Sequence, residues 1–259
     1  MSRNYRTILN TMTVAFEPEY IAVLDRMVAE SFTLPAFPDQ VSENLMVKRM
    51  KDEGIWNELD LFYWFKRPAA LADCTRINWK KPSSFLLTSP VVPTFINNFG
   101  WQGGGNAYWN TNYTPSVHAV KGLPGNISVF YHQFGFTNAA SAIWGTRNSS
   151  GNNFAQSNAS CILHGASLAG TGGYTLDTDI LHVKNGTTHN KYGSGSLINT
   201  ASYASGGALS TVPLVLLGQN LNGTISQFVT TSGLKYFGIG SKNIESKSLK
   251  LYQILNNII

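Results

Sequence analysis

Beyond about Phe85 the chain is built of short alternating runs cut by Gly, Asn and Pro, and this pattern limits the fold more than any other feature. Ile127-Ser128-Val129-Phe130-Tyr131-His132 and residues 176–183, 213–217 and 224–229 each read as a strand of roughly six residues. Asn185-Gly186 and Asn222-Gly223 lie between such runs, and these dipeptides favour tight hairpin turns. Ten or more runs with no helix between them predict a mainly β, two-sheet sandwich.

Upstream the spacing is helical. Pro18 suits a first helical turn, and Tyr20, Ile21, Leu24, Met27 and Val28 follow at helical intervals until Pro35 and Pro38 break the pattern. Asp39 is placed to cap a second helix that carries Val41, Leu45 and Met50 on one side, with Gly54 ending it. Residues 55–65 are too apolar to lie exposed, so they pack either on the second part or on another subunit. Leu251, Ile254, Leu255 and Ile258 predict a short C-terminal helix. The expected division is a helical docking and assembly segment at 1–80 and a β-sandwich at 81–259.

Charge follows the same division. Of the 14 Asp and Glu residues only Asp177, Asp179 and Glu245 lie beyond Asp73, so the net charge of +5 belongs to the second part. Its cations are scattered, which argues against a nucleic-acid partner. No apolar leader follows Met1 and no run is long enough to span a membrane, so the expectation is a soluble protein made in a cytoplasm. Cys74 and Cys161 fall one in each part and read as two buried thiols.

Several motifs recur in order along nearly the whole chain. Gly54-Ile55-Trp56-Asn57-Glu58-Leu59-Asp60-Leu61-Phe62-Tyr63 precedes Ile77-Asn78-Trp79, Phe99-Gly100-Trp101-Gln102-Gly103 and Tyr108-Trp109-Asn110-Thr111-Asn112-Tyr113. Ile143-Trp144-Gly145-Thr146-Arg147, Leu216-Leu217-Gly218-Gln219-Asn220 and Tyr236-Phe237-Gly238-Ile239-Gly240 complete the set. This order resembles bacteriophage virion proteins of the tail, fibre or spike type, with a helical N-terminal segment before a concanavalin-like (laminin-G-like) jelly roll. Asn110 stands where many relatives carry Asp. The resemblance implies a non-enzymatic structural protein of the virion, assembled in the host cytoplasm. Its implied partners are other virion proteins, further copies of the chain in a homo-oligomer, and a host-surface glycan. Ile55, Trp56, Leu59, Phe62, Trp64 and Phe65 are then the candidate assembly interface.

Two chemistries compete with this reading. Asp177 and Asp179 have the i, i+2 spacing that puts two carboxylates on one strand face, as in some glycan hydrolases, but no further acid stands near them in sequence. Asn190, Tyr192 and Tyr203 supply the amide and aromatic groups of a sugar-binding platform. The five histidines lack metal-site spacing and the glycine clusters lack the Gly-Lys-Ser/Thr of a phosphate loop, so neither a metal nor a cofactor is expected.

Overall fold

The computed structural model describes residues 15–135, 142–148, 153–157, 160–164, 166–169, 177–202, 207–226 and 232–257. Two helices lead, Pro18–Ala29 (α1) and Phe37–Asp52 (α2). In chain order the strands are β1 Leu59–Trp64, β2 Thr94–Ile96, β3 Gly100–Gln102, β4 Trp109–Asn110, β5 Asn126–Phe134, β6 Ala142–Arg147, β7 Asn153–Ser157 and β8 Ser160–Leu163. They continue as β9 Ala166–Ala169, β10 Thr178–Asn185, β11 Thr188–Gly193, β12 Ser196–Ser202, β13 Val215–Leu216, β14 Gln219–Leu221, β15 Thr224–Ser226 and β16 Gly233–Gly240. A single turn of helix, Pro115–His118 (α3), follows β4, and Ser248–Leu255 (α4) closes the described chain.

The strands form two sheets, as the alternation predicts. One runs β12-β11-β10-β5-β16-β3-β2, with β1 also on β16; the other runs β15-β14-β6-β7-β8-β9, with β13 joining β4 to β6. Tyr131 of the first sheet meets Trp144 of the second with ring centroids 6.1 Å apart, and Phe237 meets the same indole at 5.8 Å. These rings belong to a buried core between the sheets that includes Val129, Ile143, Phe154 and Ile239. Asn222-Gly223 turns the β14–β15 hairpin as expected, whereas the β10–β11 turn is displaced by one residue to Gly186-Thr187, with Asn185 still paired to Thr188.

The helices cover the outer face of the first sheet. Tyr20, Val23, Leu24 and Met27 of α1, Met46, Val47 and Met50 of α2, and Leu251, Ile254 and Leu255 of α4 pack on Phe62, Phe130, Leu181 and Tyr236. Each large side chain buried in this way contributes roughly 1.5–3 kcal/mol. A Cβ on Gly238 would run into the Phe130 ring, so this outer core depends on a glycine in β16. Gly54 ends α2 at φ 67°, with Ile55 N–H reaching Met50 O at 2.8 Å in a Schellman turn.

Two expectations for the first part change. Helix α2 begins before Asp39, which lies in its first turn, and it buries Gln40, Glu43 and Asn44 while Leu45 is 41% exposed. Each buried group has a partner: Gln40 donates to Pro35 O at 2.8 Å, Asn44 accepts the Glu17 N–H at 2.7 Å, and Glu43 meets the Arg67 cation. Residues 55–65 form a 3₁₀ turn and then β1, which pairs with β16 from Leu59 opposite Gly240 to Trp64 opposite Tyr236. A continuous apolar run suits a strand covered on both faces: Leu61 and Tyr63 enter the sandwich core, while Phe62 and Trp64 face the helices. A boundary at residue 80 would cut this strand from its sheet. Ile55, Trp56, Leu59, Phe62, Trp64 and Phe65 are all buried within the one chain, so the assembly interface assigned to them has no surface to offer a second copy. Asp60, buried in the same strand, accepts N–H bonds from Lys121 at 2.9 Å and Gly122 at 2.8 Å and so anchors a loop.

Candidate functional site

Where β1 ends, the chain turns at Pro68 beneath the start of α2 and the end of α4, leaving an open cleft of about 160 Å³. Its floor is rigid. Arg67 is buried and forks onto Glu43 through two 2.7 Å hydrogen bonds, lies 5.2 Å from the Trp79 ring centre and also contacts the Cys74 sulfur. Tyr20 donates its hydroxyl to Glu43 at 2.6 Å. Burial alone would lower the Arg67 pKa, but Glu43 beside it holds the guanidinium above its ordinary value. Trp64 stacks on Tyr236 with ring centres 5.9 Å apart and planes 10° apart.

The rim contrasts with that floor. Asp39, Ser42, Lys66 and Asn257 line the cleft and are exposed, and among the described residues their side chains have no hydrogen bond or ion pair. A carboxylate, a hydroxyl, an ammonium and an amide thus surround a tryptophan with their bonding capacity unused. Such a mixture can hold a small polar ligand by several directional bonds over an apolar surface.

Asp177 and Asp179 do come together, around a histidine. His132 Nδ1 lies 3.0 Å from Asp179 Oδ1 and Nε2 lies 2.8 Å from Asp177 Oδ1. Lys235 donates to Asp177 at 2.6 Å, Asn256 donates to Asp179 at 3.2 Å, and the Tyr236 hydroxyl also donates to Asp179. Burial pushes both carboxyls up. The hydrogen bonds outweigh it, from Lys235 and His132 on Asp177 and from His132 and Tyr236 on Asp179, and both end below the usual carboxylate value. A glycan hydrolase needs one of its two acids protonated. Here both carboxyls are held below the usual value, each by a bond to His132 in a shared hydrogen-bonded network.

The proposed aromatic platform divides. Asn190 and Tyr192 lie on the outer face of β11, where Tyr192 donates to Glu245 at 2.9 Å and the Asn190 amide donates to the same carboxylate. Thr200 donates to the Asn190 oxygen at 2.8 Å, so both side chains serve the fold. Tyr203 lies outside the described residues. Asn110 accepts the Asn112 N–H at 2.9 Å, holding its turn without a charge.

Sequence reading missed the Glu43–Arg67 pair and a cluster inside the sandwich. A buried Glu on a helix face gives no local signal of a partner 24 positions away. The interior cluster had a faint one. His182-Val183-Lys184 and His189-Asn190-Lys191 alternate across the Gly186-Thr187 turn, and the hairpin brings His182 and His189 together with Cys161.

No protein-family model matches the chain, and no curated protein matches it. Solved structures do. An HCR/D W1238A mutant is 13% identical with a TM-score of 0.50, covering 76% of this chain and 52% of its own. The botulinum neurotoxin serotype G binding domain is 16% identical with a TM-score of 0.48 over 76% of this chain and 51% of that one. The CBM40 domain of Ruminococcus gnavus IT-sialidase, bound to α2,3-sialyllactose, is 12% identical with a TM-score of 0.39 over 55% and 89%. The matched region is about half the length of the HCR/D and serotype G chains. At these identities the likeness is one of fold: this chain is a β-sandwich with helices packed on one sheet.

Proposed function

We propose that the chain is a non-enzymatic glycan-binding module that holds a sugar of a host surface in the cleft rimmed by Asp39, Ser42, Lys66 and Asn257. The observation that carries this reading is the set of unpartnered polar groups on the rim, Asp39, Ser42, Lys66 and Asn257, over a floor fixed by the Glu43–Arg67 pair. Sugars present dense hydroxyls, and the cleft rim offers donors and acceptors to match them. Glycans are the ligands named for the CBM40 domain, and gangliosides for a botulinum neurotoxin type C structure. In this chain the cleft's own groups support the assignment.

The motif order supports placing the module on a bacteriophage particle, among other virion proteins and further copies of itself. Gold-labelled antibody on purified particles checks that placement, and absence of label from intact, accessible particles overturns it. The binding test is a glycan array with the full chain, followed by titration of any sugar retained. Lys66→Ala and Asn257→Ala are exposed changes expected to weaken binding about tenfold each, roughly 1.4 kcal/mol, with unchanged melting. Wild-type affinity in both variants would exclude the cleft, and a chain that retains no sugar would end the reading.

A further inference from the structure

The β10–β11 hairpin turns an unusual face toward the sandwich interior. Lys184 pairs directly with His189, and His182 with Lys191, so four polar side chains form a square on the inner surface. All four are buried, and Cys161 of β8 reaches them from the opposite sheet, also buried. His182 Nδ1 lies 3.2 Å from His189 Nε2. One donor atom each from Cys161, His182 and His189 lies within 4.8 Å of the others.

The hydrogen bonding of this group is incomplete. Each neutral imidazole carries one proton, so whichever ring donates across the 3.2 Å contact, the remaining nitrogens are one N–H and one lone pair. Neither His182 Nε2 nor His189 Nδ1 has a hydrogen-bond partner among the described residues. A buried polar atom left unpaired is expensive, and native proteins rarely keep several together. In the closed pair one of the two facing nitrogens carries the shared proton, so a metal bound between them would move that proton to the outer nitrogen of the same ring.

We propose that Cys161, His182 and His189 form a metal site that takes Zn²⁺ and ties the two sheets together at this end of the sandwich. The donor set is the borderline-soft mixture that Zn²⁺ favours, two imidazoles and a thiolate. Zn–N bonds of about 2.0–2.1 Å in a tetrahedron put two nitrogens about 3.3 Å apart, close to the 3.2 Å found between the rings. Three ligands leave one position for water. Burial pulls both histidines down, against the charged imidazolium that could not bind a metal. Burial also raises the Cys161 thiol, against a smaller downward pull from Lys191. Binding must then displace the thiol proton to solvent as the Zn–S bond forms; no electron is transferred. The neighbouring ammonium groups disfavour a bare dication but favour the thiolate, and Lys184 is engaged with Leu163 O at 3.2 Å.

The test uses the full chain stripped with a chelator and titrated with Zn²⁺ or Co²⁺. The expected result is one equivalent bound per chain, a thiolate-to-cobalt charge-transfer absorption, and a melting temperature raised by about 5–10 °C at a hundredfold excess over Kd. Cys161→Ser should abolish the charge-transfer band, and His189→Gln should weaken zinc binding at least tenfold. If either variant fails to fold, the cobalt spectrum of the wild-type chain still decides. No bound equivalent, or a cobalt spectrum without sulfur character, would overturn the site, whatever the glycan array shows.

Discussion

The outer face of the first sheet and the interior of the sandwich both bury polar groups, and they treat them in opposite ways. Under the helices the charged groups of two networks are paired: Arg67 grips Glu43, and His132 and Lys235 hold Asp177 and Asp179. Between the sheets, His182 and His189 satisfy one another and leave their outer nitrogens idle, while His164 has neither nitrogen partnered among the described residues. A closed network explains itself as architecture. An open one needs something from outside, and this difference separates structural polar groups from candidate ligands. The cleft rim is open in the same sense, but it faces water.

The largest effect expected from breaking the comparison is at Arg67. Arg67→Ala leaves the Glu43 carboxylate buried beside Tyr20 without its cation, and loss of one partner of a buried pair costs about 3–5 kcal/mol. Chemical denaturation measures it. The double variant Glu43→Met with Arg67→Met removes both charges and fills the space, so it should recover most of that loss. If the double variant is as unstable as the single, the pair is not the closed unit described here.

A smaller effect sharpens the second network. Asp179→Asn removes the charge from hydrogen bonds given by His132, Tyr236 and Asn256. The expected cost at neutral pH is about 1–3 kcal/mol. Because both Asp177 and Asp179 titrate below their ordinary value when folded, their contribution is complete above the usual carboxylate range. It is lost as pH falls below about 3.9 toward the lower folded values. Stability curves of the wild type and Asp179→Asn should therefore converge on acidification, and a gap that stays constant to about pH 2 would show that the carboxylate charge is not what the substitution removed.

How much of this was legible in the sequence depends on distance along the chain. Local rules placed α1, Gly54 as the end of α2, the Asn222-Gly223 hairpin and α4, because caps and turns act within a few residues. Alternation identified the sandwich. It failed at residues 55–65, where apolar residues on both faces hide the strand period, and where the covering layer is supplied by helices and a sheet remote in sequence. The cleft could not be read at all: Asp39, Lys66 and Asn257 are neighbours only after β1 enters the sheet. Asp177 and Asp179 meet on His132, but not through strand spacing, because Asp177 precedes β10 with φ 63° and its partner lies on another strand.

The smallest expected effect decides between two places for a sugar. Tyr192 and Asn190 have the right chemistry for a platform, yet both are committed to Glu245. Tyr192→Phe keeps the ring and removes one partly exposed hydrogen bond, a cost of about 0.5–1 kcal/mol in thermal or chemical denaturation. Any sugar retained by the wild-type chain should bind this variant with unchanged affinity, because the hydroxyl already spends its proton inside the fold. A tenfold loss in Tyr192→Phe, alongside full binding by Lys66→Ala, would move the site from the cleft to β11. It would also mean that a hydrogen bond closed in the free chain opens when ligand arrives, which would overturn the rule that idle polar groups mark the binding surface.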